Sequence, residues 1–278
     1  MRLFVATALL LGLAGAAPPP AGSPAMPANR AEAVEVVRGL RRIVTPNGTE
    51  QAQTVRIGGI DQWITIRGDD KRNPVLLVLH GGPGYVEMPL NWWYARGWEE
   101  YFTVVEWDQR GAGKTYLIND PKTVAPTMTR ERMLRDTEEM VAWLRQTLRK
   151  RKIFVWGHSW GSYLGLELAR RHPEWLYAYI GTGQVTNSPE SERRGWAYSM
   201  AAARTAHNQR AIAELAAIAP YAAPGHPVPL NDIAIAHRWG DYFGGVAAWR
   251  TSQEDESHAV RLSPDYTDAE EPHIYDGN

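Results

Sequence analysis

The sequence predicts an α/β fold, a doubly wound and mostly parallel sheet with a helical cap. Short apolar runs alternate with amphipathic stretches between residues 75 and 181, as expected of a sheet covered by helices on both faces. The run Val75–Leu79 is apolar throughout, which is typical of a strand buried on both faces of a parallel sheet. From Ser188 onward the chain is rich in alanine and interrupted by prolines, and we see no clear further buried strand there.

The N-terminal 30 residues are predicted to be a signal peptide followed by a linker. Met-Arg at residues 1–2 precedes an apolar run over 3–13 and then Ala-Gly-Ala at 14–16. A charged start, a short apolar segment and a small-residue cleavage site are the parts of a secretory signal peptide. We therefore predict a signal peptide at 1–16, a Pro/Ala-rich linker at 17–30, and an exported protein, periplasmic or secreted. No membrane attachment is expected after cleavage.

Residues 31–187 are predicted to form the α/β core. Two β-branched runs flank Gly58-Gly59 and predict an antiparallel hairpin at the sheet edge. Apolar residues at helical spacing after Thr129 predict a helix that packs on the sheet. The predicted strands are 53–57, 62–67, 75–79, 102–107, 153–156 and 176–181, the last expected to be buried. The predicted helices are 31–42, 129–150 and 162–172.

Residues 188–278 are predicted to form a partial helical cap over the edge of the sheet. Helix-favouring stretches dominate it, for example 204–219, and prolines from Pro220 onward interrupt them. The stretch 265–278 is rich in polar residues, and we interpret it as a solvated tail.

Composition excludes several classes of function. The chain has 30 basic and 31 acidic residues, so charge gives no reason to expect nucleic acid or an anionic membrane as a partner. It has no cysteine, no H-E-x-x-H motif and no dinucleotide-binding fingerprint, so we predict no metal and no cofactor. The expected partner is a small peptide or ester substrate, and the oligomeric state stays open.

A nucleophile motif lies at the centre of the chain. Gly-His-Ser-Trp-Gly at residues 157–161 stands between a predicted strand and a predicted helix, which is the context of the G-x-S-x-G elbow. Glycines on both sides of the sharp turn avoid side-chain collisions. The turn raises the Ser159 hydroxyl above the sheet edge, next to the N-terminal N–H groups of the helix. Taken alone, the pentapeptide could also be a structural turn.

Two further motifs follow predicted strands. His-Gly-Gly-Pro-Gly occupies residues 80–84, and Trp-Asp-Gln-Arg-Gly-Ala-Gly occupies 107–113. With the elbow and in this order, they make residues 50–185 resemble the α/β-hydrolase fold and, within it, the prolyl aminopeptidase (proline iminopeptidase) group of serine peptidases. The resemblance implies a doubly wound, mostly parallel sheet with a helical cap, and this chain would be truncated before the last strands.

The resemblance also implies roles for individual residues. Ser159 would be the nucleophile, and the backbone N–H groups of Trp160 and Gly82 would form the oxyanion hole. A glycine-rich loop suits that role because main-chain donors can approach a substrate closely. Asp108 and Arg110 would be structural, each satisfying neighbouring backbone groups. We expect His80 and His158 to pack or form hydrogen bonds within their own turns.

The acid and base of a catalytic triad are not identified in the sequence. In this fold the order is Ser, then Asp or Glu, then His, and the family places the last two after strands that follow the cap. His273, near Asp268 and Asp276, is the least poor candidate. We expect the triad acid and histidine beyond Asn278, and little triad-dependent turnover from this chain.

Three functions therefore remain open. The first is an aminopeptidase that releases N-terminal residues, often proline, from peptides through an acyl-enzyme. The second is an esterase, lactonase or amidase, because ester and amide cleavage pass through the same oxyanion. The third is a catalytically inactive fragment or binding domain. Acidic side chains in the cap could hold a substrate amine, with no preference among Glu190, Glu192, Glu214 and Asp241.

Overall fold

A computed structural model describes residues 25–95, 97–245 and 254–277. Six strands form one sheet in the order β1-β2-β4-β3-β5-β6. The β1–β2 hairpin is antiparallel and lies at one edge, β2 pairs antiparallel with β4, and β4, β3, β5 and β6 run parallel. The strands are β1 (Thr49–Ile57), β2 (Ile60–Gly68), β3 (Val75–Leu79), β4 (Thr103–Asp108), β5 (Ile153–His158) and β6 (Leu176–Thr182).

Helices connect the parallel strands and continue beyond the sheet. They are α1 (Arg30–Leu40), α2 (Asn91–Tyr94), α3 (Trp98–Tyr101), α4 (Gly113–Leu117), α5 (Pro121–Val124), α6 (Arg130–Thr147), α7 (Trp160–Arg171), α8 (Ser188–Thr205), α9 (Gln209–Ala217), α10 (Leu230–Tyr242) and α11 (Glu254–Arg261). Single 3₁₀ turns lie at Met88–Leu90, Ala125–Thr127, Pro173–Trp175 and Glu271–His273. Within the described segments, no helix combines the length and hydropathy needed to cross a membrane.

The main core lies between the sheet and helices α6 and α7. Alternate residues of the central strands, such as Leu77 and Val155, are fully buried, and they pack with Met140 and Leu144 of α6 and Leu164 of α7. The side chain of Thr129 accepts a hydrogen bond from the Arg132 N–H and caps the first turn of α6. The predicted hairpin, the central strands and the long helix 129–150 are therefore confirmed, although α6 ends three residues before the predicted end.

The prediction of a buried strand at 176–181 was wrong about burial. β6 forms where expected, but it is the last strand of the described sheet and most of its residues are exposed. Tyr177 and Ile180 keep 57% and 45% of their surface exposed. The apolar pattern correctly indicated a strand, but burial depends on a neighbour on the outer side, which the described residues do not provide.

The cap region contains three helices with a core of their own. Met200 and Ala203 of α8 pack with Leu215 of α9 and Trp239 of α10. The helix-favouring stretch 204–219 is mostly helical, but it contains the end of α8 and the whole of α9 with a bend at 206–208 between them. His207 has a positive φ of 50°, and the Asn208 side chain accepts from the Ala211 N–H as the N-cap of α9.

The interpretation of 265–278 as a solvated tail was also wrong. Tyr266 and Ile274 are each 1% exposed. Together with Ala259 and Val260 of α11, they pack against Val86, Met88, Leu90 and Ala112. The C-terminal segment (residues 254–277) therefore packs on the segments that follow β3 and β4, in a cluster separate from that of the cap helices. Isolated apolar residues in a polar stretch suffice here because their partners come from distant parts of the chain.

The remaining boundaries stay predictions. The signal peptide at 1–16 and most of the linker at 17–30 lie outside the described residues. The division into a core at 31–187 and a cap at 188–278 is a prediction as well, apart from the placement of the C-terminal segment.

Candidate active site

The strand-to-helix turn at Ser159 is held in a strained conformation. β5 ends at His158 and α7 begins at Trp160, so Ser159 alone makes the turn. Its φ of 49° and ψ of −114° form a combination that non-glycine residues rarely adopt. The Ser159 N–H donates to the Thr182 carbonyl at 2.9 Å, which ties the turn to the end of β6. Ser159 is only partly buried, so its position is open to solvent.

The two glycines of the motif are required by close backbone packing. A Cβ on Gly157 would lie 2.7 Å from the Gly161 carbonyl carbon and 2.9 Å from Ser162 Cα. A Cβ on Gly161 would lie 2.5 Å from the Leu79 carbonyl carbon and 2.8 Å from the His80 oxygen. Helix α7 therefore starts directly against the end of β3, which only glycine at both positions permits.

The loop at residues 80–87, here called the glycine loop, lies beside Ser159. A Cβ on Gly81 would be 3.3 Å from Ser159 Cβ, so the loop and the elbow are in contact. Gly82 has a φ of 107° and is exposed. None of the hydrogen bonds between described residues uses the Gly82 N–H. The Trp160 N–H belongs to the first turn of α7, where amides have no partner within the helix. The sequence thus predicted the neighbourhood of Ser159, Gly82 and Trp160, while their catalytic roles stay predictions.

No histidine bonds to the Ser159 hydroxyl. All eight histidines fall in the described ranges, and no hydrogen bond there joins an imidazole to Ser159 Oγ. His273 Nδ1 lies 2.7 Å from Asp276 Oδ2, and its side chain is 55% exposed. The same ranges contain no cluster of three potential metal ligands.

His80 is a buried structural residue, as predicted. Its Nε2 accepts from the Gln109 N–H at 3.1 Å, so its Nδ1 carries the proton and donates to the Gly81 carbonyl at 2.8 Å. Burial lowers the pKa of His80 to about 4, so the ring is neutral at physiological pH. It fixes the start of the glycine loop to the loop that follows β4.

His158 makes a contact that the sequence did not predict. We expected a partner within its own turn, but its Nδ1 lies 2.5 Å from Oε1 of Glu87. Glu87 ends the glycine loop and is 5% exposed, whereas the His158 side chain is 38% exposed. The hydrogen bond to Glu87 raises the pKa of His158, against the opposing effect of burial. A carboxylate and an imidazole therefore connect the two segments that contain Gly82 and Ser159.

Comparisons with known proteins support the fold described above. The profile of a family described as "alpha/beta hydrolase fold" matches residues 74–206. The chain has the α/β-hydrolase fold. A crystal structure of proline iminopeptidase from Mycobacterium smegmatis has a TM-score of 0.50 with it, covering 81% of this chain and 69% of that chain at 23% identity. At that identity the likeness supports the fold alone.

Curated relatives are similar to part of this chain. "Probable aminopeptidase YbaC" of Bacillus subtilis (strain 168) is 40% identical over 136 residues, which are 49% of this chain and 42% of the relative. "Probable proline iminopeptidase" of Streptomyces coelicolor is 36% identical over 118 residues, 40% of this chain and 33% of the relative. The chain therefore spans less than half the length of these relatives.

Asp108 has the structural role that the sequence analysis predicted. It ends β4, is fully buried, and its Oδ2 accepts from the Lys114 N–H at 2.8 Å and the Tyr266 hydroxyl at 2.5 Å. Burial raises the pKa of Asp108 to about 7, although both donors favour the charged form. The carboxylate thus joins the loop after β4 to the C-terminal segment of this α/β-hydrolase fold.

Arg110 is likewise confirmed as structural. Its Nε lies 2.6 Å from Asp136 Oδ2, and each of the two side chains is 1% exposed. Its Nη2 donates to the Gly58 carbonyl at 2.8 Å. The guanidinium therefore links the loop after β4 to α6 and to the β1–β2 turn, because one side chain satisfies groups from all three.

The sequence analysis missed Glu87 and Tyr266. Glu87 lies three residues after Gly84, the last residue of the His-Gly-Gly-Pro-Gly motif, and is the nearest carboxylate after that motif, which was a usable signal for a partner of His158. Tyr266 had no such signal, because its partner Asp108 lies 158 positions away.

Proposed function

We propose that this chain carries the nucleophile and oxyanion donors of a serine hydrolase of the aminopeptidase type, which releases N-terminal residues from peptides through an acyl-enzyme. The observation that supports the proposal best is Ser159 itself. A non-glycine residue at φ 49° stands at the N-terminus of α7 and in contact with Gly81 of the glycine loop. Strained residues of this kind concentrate at functional sites.

In the proposed reaction, Ser159 Oγ attacks the scissile carbonyl carbon. The carbonyl oxygen becomes an oxyanion, which accepts hydrogen bonds from the Gly82 and Trp160 N–H groups. Collapse of this intermediate expels the amine, which takes a proton, and leaves an ester on Ser159 that water hydrolyses. The positive end of the α7 dipole favours the same negative charge.

The proton of the Ser159 hydroxyl needs an acceptor. Because no imidazole bonds to Ser159 Oγ in the described ranges, we propose that full turnover requires a base and an orienting acid that these contacts do not supply. Removing triad members leaves only the acceleration from the oxyanion hole and from binding. Acylation by an intrinsically reactive probe should therefore exceed turnover of amides.

The aminopeptidase assignment rests on the names of the relatives. One is named a probable aminopeptidase and the other a probable proline iminopeptidase, and the family model spans all three motifs at residues 74–206. The elbow itself treats esters and amides alike, so an esterase, lactonase or amidase is the second candidate for the same site. A catalytically inactive fragment is the third, and the Ser159 hydroxyl without an imidazole partner favours it.

A fluorophosphonate probe tests the nucleophile directly. We expect covalent labelling at Ser159, found by peptide mass spectrometry, and none in Ser159→Ala. Ser188→Ala, which changes an exposed serine on α8, is the matched control and should label like wild type. Absence of labelling in wild type, with an intact fold, would contradict the proposal and support the inactive fragment.

Chromogenic substrates then separate the activities. If the fluorophosphonate probe labels Ser159, the chain should cleave prolyl and other aminoacyl 4-nitroanilides slowly. It should not cleave the N-acetylated versions of these substrates. Faster turnover of simple 4-nitrophenyl esters, without any preference for a free amine, would favour the esterase alternative.

A further inference from the structure

We propose that His158 and Glu87 form a strut that sets the position of the glycine loop relative to Ser159. His158 is then a positioning residue for the candidate active site, acting through the loop rather than on a substrate. The consequence for catalysis rests on the proposed function, whereas the strut itself is a property of the fold that can be measured without any substrate.

The strut connects the two parts of the site at their ends. His158 is the last residue of β5 and is bonded directly to Ser159. Glu87 is the last residue of the glycine loop, five positions after Gly82. The contact of 2.5 Å between His158 Nδ1 and Glu87 Oε1 therefore joins the residue before the candidate nucleophile to the end of the loop that contains the candidate oxyanion donor.

Both ends of the glycine loop have anchors, His80 at the start and the buried Val86 near the end, but few contacts restrain its middle. One backbone hydrogen bond, from the Tyr85 N–H to the Gly81 carbonyl at 3.2 Å, crosses the loop. Gly82 and Pro83 are exposed, and glycine adds backbone freedom at three of the eight positions. A side-chain contact at the far end of such a loop limits how far Gly82 can move from Ser159.

The imidazole ring of His158 lies close to the glycine loop. A Cβ on Gly81 would be 3.5 Å from His158 Nδ1 and 3.3 Å from Ser159 Cβ. On the other side, the imidazole stacks on Trp156, with centroids 6.1 Å apart and planes 15° from parallel. The imidazole thus lies next to Gly81 of the glycine loop as well as to Trp156 of its own strand.

Charge makes the strut dependent on pH. The groups that face His158 are Glu87 from the glycine loop, Glu256 from α11 and His80 from the end of β3. Both carboxylates raise the pKa of His158 above 6.5, and His80 is neutral because its pKa falls to about 4. A raised histidine pKa means that the charged pair is complete below that pKa and weakens as the pH rises through it.

Hydrogen–deuterium exchange of the glycine loop tests the strut on the whole chain. His158→Phe keeps an aromatic ring against Trp156 but removes the bond to Glu87, and we expect at least tenfold faster exchange in peptides covering residues 80–87. His158→Gln keeps a donor without the charge and should give a smaller increase. His172→Gln is the matched control, because His172 lies at the end of α7 and should leave the loop unchanged.

Variants of Glu87 test the same contact from its other partner. Glu87→Gln keeps the size and an acceptor, so it should fold even if His158→Phe does not, and should raise loop exchange about threefold. His158→Phe combined with Glu87→Gln should exchange no faster than His158→Phe alone, because both remove the same contact. In wild type, loop exchange corrected for its intrinsic pH dependence should increase from pH 6 to pH 9, and in His158→Gln it should not.

The fluorophosphonate reaction gives the functional readout. We expect His158→Phe to slow labelling of Ser159 about tenfold, and the wild-type rate to lose its advantage over His158→Gln above the pKa of His158. Unchanged loop exchange in both His158→Phe and Glu87→Gln would overturn the strut. Faster loop exchange in these variants, together with a wild-type chain that the probe never labels, would uphold the strut and refute only the proposed function.

Discussion

Replacement of Gly161 by alanine tests the geometry on which the candidate site depends. The added methyl group would overlap the Leu79 carbonyl oxygen and lie 2.5 Å from its carbon and 2.8 Å from the His80 oxygen. All three atoms belong to backbone at the end of β3, so no side-chain rotation can relieve the overlap. Helix α7 must therefore move away from β3 by about 1 Å or more, and contacts of Leu164 and Leu168 in the core weaken with it.

The expected cost is about 3 kcal/mol in the free energy of unfolding. Overpacking a rigid site typically costs about 1–3 kcal/mol, and the upper end applies because the neighbours are main chain. For a chain of this size, about 3 kcal/mol corresponds to a fall of roughly 6–12 °C in melting temperature. Fluorophosphonate labelling should fall further than stability does, because Ser159 precedes the displaced helix directly.

Gly195→Ala is the matched control, because it makes the same substitution with the opposite expected sign. Gly195 lies in the middle of α8, is exposed, and a Cβ there would meet nothing within 4 Å. Alanine should stabilise the chain by about 0.5–1 kcal/mol through its higher helix propensity. Urea denaturation followed by circular dichroism measures both variants. A loss of less than 0.5 kcal/mol in Gly161→Ala, with labelling intact, would refute the close approach of α7 to β3.

Two further predictions concern buried acids near the site. Burial raises the pKa of Glu106 to about 8 from an unfolded value near 4.5, so wild-type stability should fall as the pH rises from about 4.5 to about 8. Glu106→Gln keeps an acceptor for the Asn91 amide and removes this ionisation, so its advantage over wild type should grow by up to about 4 kcal/mol between pH 5 and pH 9; equal pH profiles in urea denaturation would contradict this. Tyr266→Phe removes the hydroxyl that donates to Asp108 at 2.5 Å, and should cost about 1–3 kcal/mol. Because the pKa of Asp108 is raised to about 7, the loss should be larger at pH 8 than at pH 5, and a loss that is smaller at pH 8 would argue against a charged acceptor.

Local patterns were enough to predict the central part of the fold. The apolar run Val75–Leu79 is buried throughout, as expected of a parallel strand covered on both faces. The elbow strand β5 also forms where predicted, with alternate residues buried. The three motifs also predicted the site, since the carboxyl ends of neighbouring parallel strands meet at one edge of a sheet. Adjacent strands β4, β3 and β5 bring Asp108, His80 and Ser159 to that edge.

Features that depend on distant partners could not be predicted from such patterns. The exposure of β6 reflects its place at the end of the described sheet, which the composition of the strand does not reveal. Ile274 and Tyr266 are buried because Val86 and Ala112 offer an apolar surface more than 150 positions away. The contact between His158 and Glu87 spans 71 positions. In each case the sequence supplied the residue types, and only the three-dimensional arrangement supplied the pairing.

The residue chosen for the strained turn is itself an argument about function. A turn with φ near 50° costs a non-glycine residue about 1–3 kcal/mol, and glycine would form it without that cost. The chain places glycines at 157 and 161, where backbone packing demands them, yet keeps serine at 159, where φ is 49° and ψ is −114°. A purely structural turn gains nothing from this arrangement. The strain therefore favours a task for the Ser159 side chain, and with it the proposed nucleophile, over a structural turn at this position.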